Sequence, residues 1–259
     1  MRFFKDLCKY FDYLIFATRS QLKAEVTNSY LDWIWWILEP FCNMVIYTII
    51  FGYVFNAAEE HFMLFIFIGI TIWNFFARTL NGSVKIVKAN KGIISKVYIP
   101  KHMLLIKLMF INAFKMLVSL GLVFIMLIVY RIPISGYVFL VIPILMILFI
   151  LTYGIACFLV HFGVYIEDLS NVVSIVLTMV MYFTGIFYSI SKRFPKPYGE
   201  IFLKYNPVAF LIDATREAIL YSSSVSFIGL LGWLGVSIII AVLGTKLIYK
   251  KENNYVKVI

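Results

Sequence analysis

The sequence predicts an all-α polytopic membrane protein with six transmembrane helices, an N-terminal amphipathic interface helix and re-entrant half-helices before the last span. Of its 259 residues, 63% are hydrophobic and only 14% are charged, whereas a soluble domain is about half apolar and a quarter charged. Six apolar runs are each long enough to cross the roughly 30 Å of bilayer hydrocarbon. Lys and Arg cluster in alternate intervals between these runs, as expected for cytoplasmic segments.

The net charge of +10 follows the same pattern. In a soluble chain it would suggest a nucleic-acid partner, but here the cations flank apolar runs and indicate topology and contact with anionic lipid. Lys and Arg number five before residue 33, six from residue 78 to 101 and four in the tail. We therefore expect a multi-pass protein of the cytoplasmic (inner) membrane, one domain over residues 1–259, both termini in the cytoplasm and no nucleic acid.

Residues 1–30 are expected to form a helix that lies in the cytoplasmic interface. One side is apolar at helical spacing and most of the opposite side is charged, which favours an interfacial over a spanning position. These residues are too often interrupted by charge to supply a signal peptide. The apolar side consists of Phe3, Phe4, Leu7, Tyr10, Phe11, Leu14, Ile15, Thr18 and Leu22.

The first two spans are predicted over residues 34–55 and 62–80, after an aromatic cluster that is typical of the headgroup level. Glu39 and Pro40 interrupt the first turns of span one. A carboxylate there is costly unless it faces water, a partner or the bundle interior. The alternative is a Glu near the headgroups that is followed by a tolerated kink.

A basic interval, residues 81–102, separates spans two and three and is expected in the cytoplasm. It contains Lys85, Lys88, Lys91, Lys96 and Lys101 and no acidic residue. Its second half is amphipathic and ends at a proline, which predicts a short cytosolic helix that a soluble partner could move. The alternative is a solvated basic loop in contact with lipid phosphates.

Spans three, four and five are predicted over residues 103–129, 137–164 and 171–190. Lys115 would then lie about 18 Å into span three. Such a lysine should face a cavity or a partner, or the hydrocarbon portion of this helix begins later. Glu167 and Asp168, between spans four and five, are adjacent and cannot face one another as catalytic carboxylates. They indicate either a contact with a partner protein or a plain acidic turn.

Residues 191–224 fit neither a span nor an ordinary surface loop. Asn206 and Pro207 begin an amphipathic stretch that carries Asp213, Arg216 and Glu217. It is too short and too charged to cross a bilayer, so we expect two half-helices that dip into the outer leaflet. Asp213 and Arg216, three residues apart, could pair. The sixth span is predicted over residues 225–249.

The sequence predicts no catalytic site, metal site or cofactor in this chain. It has no G-x-x-x-x-G-K-[ST] phosphate loop. The three histidines lie in different predicted segments, and the three cysteines lack metal or disulfide spacing. Aromatic residues in spans two and five fall at heights that could coincide and could stack on sugars, although such residues more often face lipid or the core. They are Trp73, Phe75, Phe76, Tyr182, Phe183, Phe187 and Tyr188.

Four stretches in the same order resemble the membrane subunit of ABC-2 type exporters, in the branch for polysaccharide, O-antigen and teichoic acid. They are residues 18–23 with Trp35-Trp36-Ile37-Leu38-Glu39-Pro40, residues 68–76 ending in Trp-Asn-Phe-Phe, residues 90–100 ending in Lys-Val-Tyr-Ile-Pro, and residues 206–217. The resemblance covers nearly the whole chain. Gly185-Ile186-Phe187-Tyr188 departs from it, because a Ser-Pro pair is expected there.

The resemblance implies a homodimer of this subunit with two copies of a separately encoded ATPase, which would hold ATP and Mg²⁺. A lipid-linked glycan would move outward through a pore between the membrane subunits. The pore would include the seven aromatic residues and Lys115. The ATPase would contact Lys91, Ser95, Lys96, Tyr98, Lys101, Glu167 and Asp168, and the outer gate would contain Asn206, Pro207, Asp213, Arg216 and Glu217.

Two other functions remain compatible with these residues. The same fold could export drugs, hemolysin-like molecules or simple lipids. An ion-coupled transporter or a membrane-embedded glycosyltransferase would belong to another class. The former normally shows repeated halves with interrupted helices, and the latter needs polar catalytic clusters at the interface; neither pattern is clear here.

Overall fold

The computed structural model describes residues 2–27, 32–54, 59–195 and 197–258, and within these ranges the protein is helical with no strand. Five helices are long and apolar enough to cross a membrane, which confirms the all-α polytopic class. They are Ile34–Tyr53, Phe62–Val84, Lys101–Val129, Gly136–Tyr165 and Phe227–Tyr255. The predicted fifth span is a shorter apolar helix, Leu169–Phe183.

The N-terminal segment forms two helices, α1 (Arg2–Lys9) and α2 (Phe11–Thr27). Its apolar side packs inward only in part: Leu14 is completely buried, whereas Phe4 and Phe11 of the same side are exposed. α3 (Asp32–Tyr47) continues as a π-helix, Thr48–Val54. Pro40 lies inside α3 without ending it, as membrane helices allow. The last residues of the predicted first span lie outside the described residues.

The central helix of the bundle is α4 (Phe62–Val84), which is buried on most of its circumference. Its sequence is apolar on all sides, as expected for a helix surrounded by others. It packs against α3, against α7 (Lys101–Val129) and against α8 (Val141–Tyr165), which follows a 3₁₀ turn at Gly136–Leu140. The helices α3, α7 and α8 are therefore arranged around α4.

The basic interval forms two helical turns, α5 (Ile86–Ala89) and α6 (Lys91–Ile94), instead of one amphipathic helix. Pro100 precedes the first residue of α7, which confirms the predicted break. After α8 come α9 (Leu169–Phe183) and a turn over residues 184–189. Gly185 in this turn has φ +70°, a backbone conformation that residues other than glycine rarely adopt.

The predicted half-helices correspond to α11 (Tyr198–Tyr205) and α12 (Pro207–Ile219), which follow the single turn α10 (Ile190–Arg193). Asn206 caps α12, because its side-chain oxygen accepts hydrogen bonds from the backbone N–H groups of Val208 and Ala209 at 3.2 and 3.1 Å. Pro207 occupies the first helical turn, where its missing N–H costs nothing. α12 packs against α4 and α8.

The last helix, α13, extends from Phe227 to Val258 and is longer than the predicted span. It packs against α8 through glycines. A Cβ atom at Gly154 would lie 2.7 Å from the backbone nitrogen of Ala241, and one at Gly244 would lie 2.9 Å from the carbonyl oxygen of Gly154. The two backbones therefore touch, as small residues permit between membrane helices.

Candidate coupling and translocation sites

The candidate ATPase-contact residues lie at the end of the bundle where α4 ends and α7 begins. Lys91, Ser95, Lys96 and Tyr98 are exposed. Lys101 differs, because it is only 2% exposed and its Nζ donates to the carbonyl oxygen of Ile99 at 3.3 Å. The Lys101 side chain is therefore buried within the chain and does not lie on the surface predicted for it. We call residues 91–98 the coupling segment.

A second stretch lies beside the coupling segment. Lys88 Nζ is 3.6 Å from Glu167 Oε1, so the turn between α8 and α9 is adjacent to α5. Glu167 and Asp168 are exposed. The cationic segment and the acidic turn are separated by about eighty residues of sequence, and the structure brings them to one end of the bundle.

The coupling segment is tied to both ends of the chain through a group that the sequence did not indicate, which we call the terminal junction. Arg2 Nη2 donates to Glu252 Oε1 at 2.7 Å and to Tyr98 Oη at 3.0 Å. Tyr98 Oη also donates to Glu252 Oε1 at 3.0 Å, and Tyr249 Oη donates to Asp6 Oδ2 at 2.8 Å. Burial and then the charge on Glu252 raise the pKa of Tyr98, which keeps its hydroxyl a donor.

Two ion pairs join the N-terminal segment and the first three spans, and we call them the inner polar cluster. Lys115 Nζ lies 2.8 Å from Glu25 Oε2 and 6.0 Å from the centre of the Trp36 ring. Arg78 Nη2 lies 2.5 Å from Glu39 Oε1. Lys115 therefore has a partner within the chain. The stretch from Lys115 to the end of α7 measures about 21 Å, which is shorter than the roughly 30 Å of bilayer hydrocarbon.

Replacing Lys115 by Glu is expected to lower stability by roughly 1–2 kcal/mol, because two carboxylates would then meet where a partly buried ion pair stood. For a chain of this size, that corresponds to a fall of roughly 3–6 °C in melting temperature. Thermal unfolding in detergent measures it. The double variant Glu25→Lys/Lys115→Glu reverses the pair and should recover most of the loss. A double variant no more stable than Lys115→Glu would show that the pair does not stabilise this contact.

Three of the four aromatic residues predicted for span five, Tyr182, Phe187 and Tyr188, lie together with two residues of span one that the sequence did not indicate. The Phe187 ring stacks on Phe51 at 4.4 Å and lies 4.9 Å from Tyr47 and 5.8 Å from Tyr182. Tyr188 Oη donates to the carbonyl oxygen of Tyr182 at 2.9 Å. We call these five residues the aromatic cluster. The i, i+4 spacing of Tyr47 and Phe51 on one helix face is the signal that could have found them.

The aromatic residues of span two do not join this cluster. Trp73, Phe75 and Phe76 are at most 5% exposed and pack inside the helix bundle, with Trp73 against Phe76 and Phe75 against Phe149. Tyr182 and Phe183 are instead about half exposed on α9. The rings of α9 are thus accessible at the surface of this chain, whereas those of α4 are buried.

Arg216 holds the candidate outer gate to the rest of the bundle. It is 2% exposed, and its guanidinium donates to three backbone carbonyl oxygens: Phe65 at 3.1 Å, Gly185 at 2.8 Å and Ile186 at 2.9 Å. The guanidinium carbon also lies 3.4 Å from the centre of the Phe65 ring. The pairing of Arg216 with Asp213 suggested by their spacing is absent from the ion pairs of the described residues.

The remaining gate residues have separate positions. Asn206 and Pro207 start α12, as described above. Asp213 and Glu217 line a cavity of about 1000 Å³ between α11, α12 and α13. Arg216 therefore packs toward α4 and the turn after α9, while the two carboxylates of the same helix face the cavity.

Comparison with known proteins agrees with this architecture. The chain matches the ABC-2 type transporter family over residues 17–220. It is 25% identical over 252 residues to the O-antigen export system permease protein RfbA of Klebsiella pneumoniae, covering 96% of this chain and 95% of that protein. The protein of the same name from Myxococcus xanthus is 25% identical over 221 residues, with 85% of each chain covered. Because the family match extends over more than half of its length, this chain belongs to the ABC-2 type transporter family.

Proposed function

We propose that this chain is the transmembrane subunit of an ABC exporter that moves a lipid-linked polysaccharide of the O-antigen type from the cytoplasmic face outward. It would work as a pair with a second copy of itself and two copies of a separate ATPase, which supply ATP and Mg²⁺ chemistry. The relatives named above are O-antigen export permeases. The observation that carries the proposal is the exposed cationic coupling segment, held between α4 and α7 and bonded to both ends of the chain.

The position of the coupling segment suggests how a conformational change in the ATPase would be transmitted to the membrane helices. The short helix α5 connects the segment to the end of α4, the central helix, and Pro100 connects it to the start of α7. Tyr98 links it to Glu252 of α13, and Lys88 links its neighbouring turn to Glu167 before α9. A displacement of the segment would therefore act on four membrane helices together. The ATPase would bias the pore by contacting this segment differently in its nucleotide states.

The sugar would be held loosely in this scheme. The exposed rings of Tyr182 and Phe183 on α9 offer apolar faces on which sugar C–H groups can stack without fixed hydrogen bonds. Contacts of this kind permit sliding, which a repeating polymer needs. The named relatives, which are O-antigen export permeases, give no support to a drug or a simple lipid as the cargo.

The topology is part of the proposal. Arg2 and Asp6 contact Glu252 and Tyr249, so both ends of the chain lie at the end of the bundle that carries the coupling segment. The cations concentrated there support a cytoplasmic position for this end, in accord with the positive-inside rule. The aromatic cluster and the gate helices then lie toward the outside of the inner membrane.

Reversing the charge at Lys96 is expected to reduce polysaccharide export at least tenfold without preventing membrane insertion, because the exposed ammonium would no longer meet an acidic surface on the ATPase. The measurement is glycan export, and ATPase turnover, in vesicles that contain this chain and its ATPase. Lys250→Glu makes the same charge change on α13 and serves as the control.

The assignment fails if Lys96→Glu exports at the rate of the Lys250→Glu control. The broader proposal fails if vesicles transport the glycan with no ATPase present. It fails equally if the complex hydrolyses ATP but moves a simple lipid and not the lipid-linked polysaccharide.

A further inference from the structure

The cavity between α11, α12 and α13 has a polar part and an apolar part. It measures about 1000 Å³. Its polar lining comes from α11 and α12 and consists of Glu200, Lys204, Asp213 and Glu217. On the other side it is lined by the first turns of α13, including Gly232, Trp233 and Val236. Val236 lies nine residues beyond the start of α13, or about 13 Å along the helix. The cavity therefore extends well into the apolar depth of a membrane-crossing helix.

The polar part carries excess negative charge. Three of its four charged side chains are carboxylates, against the single ammonium of Lys204. Asp213 and Glu217 are one helical turn apart on α12, so their charges repel. Burial and then the charge on Asp213 raise the pKa of Glu217 to about 6. Neither carboxylate belongs to an ion pair among the described residues. A cation from outside the chain would relieve this repulsion.

The apolar part is open to a ligand. An added Cβ atom at Gly232 would meet no heavy atom within 4 Å, so this glycine forms an unfilled wall of the cavity. Gly229, one turn before it, is by contrast covered by the ring of Phe210. Ile228 at the mouth is 87% exposed. A molecule could enter along α13 from the lipid phase.

We propose that this cavity binds one phospholipid with an ethanolamine headgroup, from the leaflet on the α11–α12 side. Its ammonium group pairs with Asp213 and Glu217, its phosphate pairs with Lys204, and an acyl chain lies along Gly232, Trp233 and Val236. A phosphatidylglycerol offers a phosphate but no cation, and the excess negative charge disfavours it. This inference stands apart from the transport function and does not depend on the cargo.

Quenching of Trp233 fluorescence by brominated lipids tests the proposal. The full chain, in complex with its ATPase, is placed in nanodiscs of phosphatidylcholine that contain brominated phosphatidylethanolamine or brominated phosphatidylglycerol at equal fractions. The difference between the wild type and Trp233→Phe isolates the signal of this residue from the other four tryptophans. We expect the ethanolamine lipid to quench Trp233 at about fivefold lower mole fraction, as a charge-assisted contact provides.

Two substitutions on α13 form a matched pair. Gly232→Phe fills the cavity and should abolish saturable quenching by either lipid. Gly235→Phe places the same ring three residues further on, where an added Cβ also meets nothing within 4 Å and which does not line the cavity. It should leave the preference intact. The double variant Asp213→Asn/Glu217→Gln should keep quenching but lose the preference for the ethanolamine lipid.

Equal quenching by both lipids in the wild type would overturn the proposal, because it would indicate ordinary contact with bulk lipid. Equal loss in Gly232→Phe and Gly235→Phe would overturn it as well. Retention of the ethanolamine preference in the double carboxylate variant would exclude the assigned ammonium contact.

Discussion

Replacing Arg216 by Met is expected to destabilise the membrane domain by roughly 3 kcal/mol or more, since three carbonyl oxygens lose their donors in a water-poor interior. For a chain of this size, that corresponds to a fall of roughly 6–12 °C in melting temperature. Arg216 is 2% exposed and bonds Phe65 of α4 together with Gly185 and Ile186 of the turn after α9. Its loss removes the hydrogen bonds that join α12 to α4 and to the turn after α9.

Thermal unfolding monitored by size-exclusion chromatography measures this effect. Arg216→Lys should recover only part of the loss, because an ammonium cannot reproduce the planar fork that reaches three carbonyls. Arg193→Met removes an exposed arginine of α10 and should be nearly neutral. An Arg216→Met variant as stable as Arg193→Met would contradict the assigned role.

Gly69 provides an independent check of the same contact. A Cβ atom there would lie 2.7 Å from Nη2 of Arg216, so Gly69→Ala must push the guanidinium away from Ile186. The two substitutions should be strongly non-additive: adding Gly69→Ala to Arg216→Met should cost much less than it costs in the wild type. Additive effects would mean that the glycine and the arginine act on different parts of the structure.

The sequence could predict the limits of most helices because their signals are local. Pro100 precedes α7, and Asn206 with Pro207 starts α12, as capping rules require. The fifth span was predicted to reach residue 190, but α9 ends at Phe183. Gly185, with its positive φ, allows the turn there. The residues of this turn are mostly apolar, like those of the helix before it. The mean hydropathy of the segment therefore could not show where the helix ends.

The contacts between distant residues could not be predicted in this way. The spacing of Asp213 and Arg216 suggested a pair, whereas Arg216 binds backbone carbonyls of two other segments. Every residue has a carbonyl, so no sequence pattern marks such an acceptor. Glu252 is the clearer missed signal, because it is an acidic residue in a basic tail and contacts Arg2 and Tyr98. The aromatic residues of α4 are buried and two of those on α9 are exposed. The two sets have similar hydropathy, so the sequence could not distinguish them.

Replacing Gly163 by Ala is expected to damage the structure as severely as the loss of Arg216, and at the opposite end of the bundle. A Cβ atom there would overlap the carbonyl oxygen of Val84 and lie 2.8 Å from its carbonyl carbon. Both are backbone atoms in the last residue of α4, so no rotation of a side chain can relieve the overlap, and α8 must move away. Overpacking of this kind costs about 1–3 kcal/mol and sometimes more.

The displacement would occur at the connection between α4 and the coupling segment, since α5, which leads into that segment, begins two residues after Val84. The ion pair of Lys88 with Glu167 spans the same gap and would be stretched as well. We therefore expect Gly163→Ala to lower both the melting temperature and the export obtained per ATP hydrolysed. Gly121→Ala is the control, because an added Cβ there meets nothing within 4 Å and alanine favours a helix. If both alanine variants melt and export alike, α4 and α8 are not in the backbone contact described above, and the coupling segment has lost the support that this contact was inferred to give it.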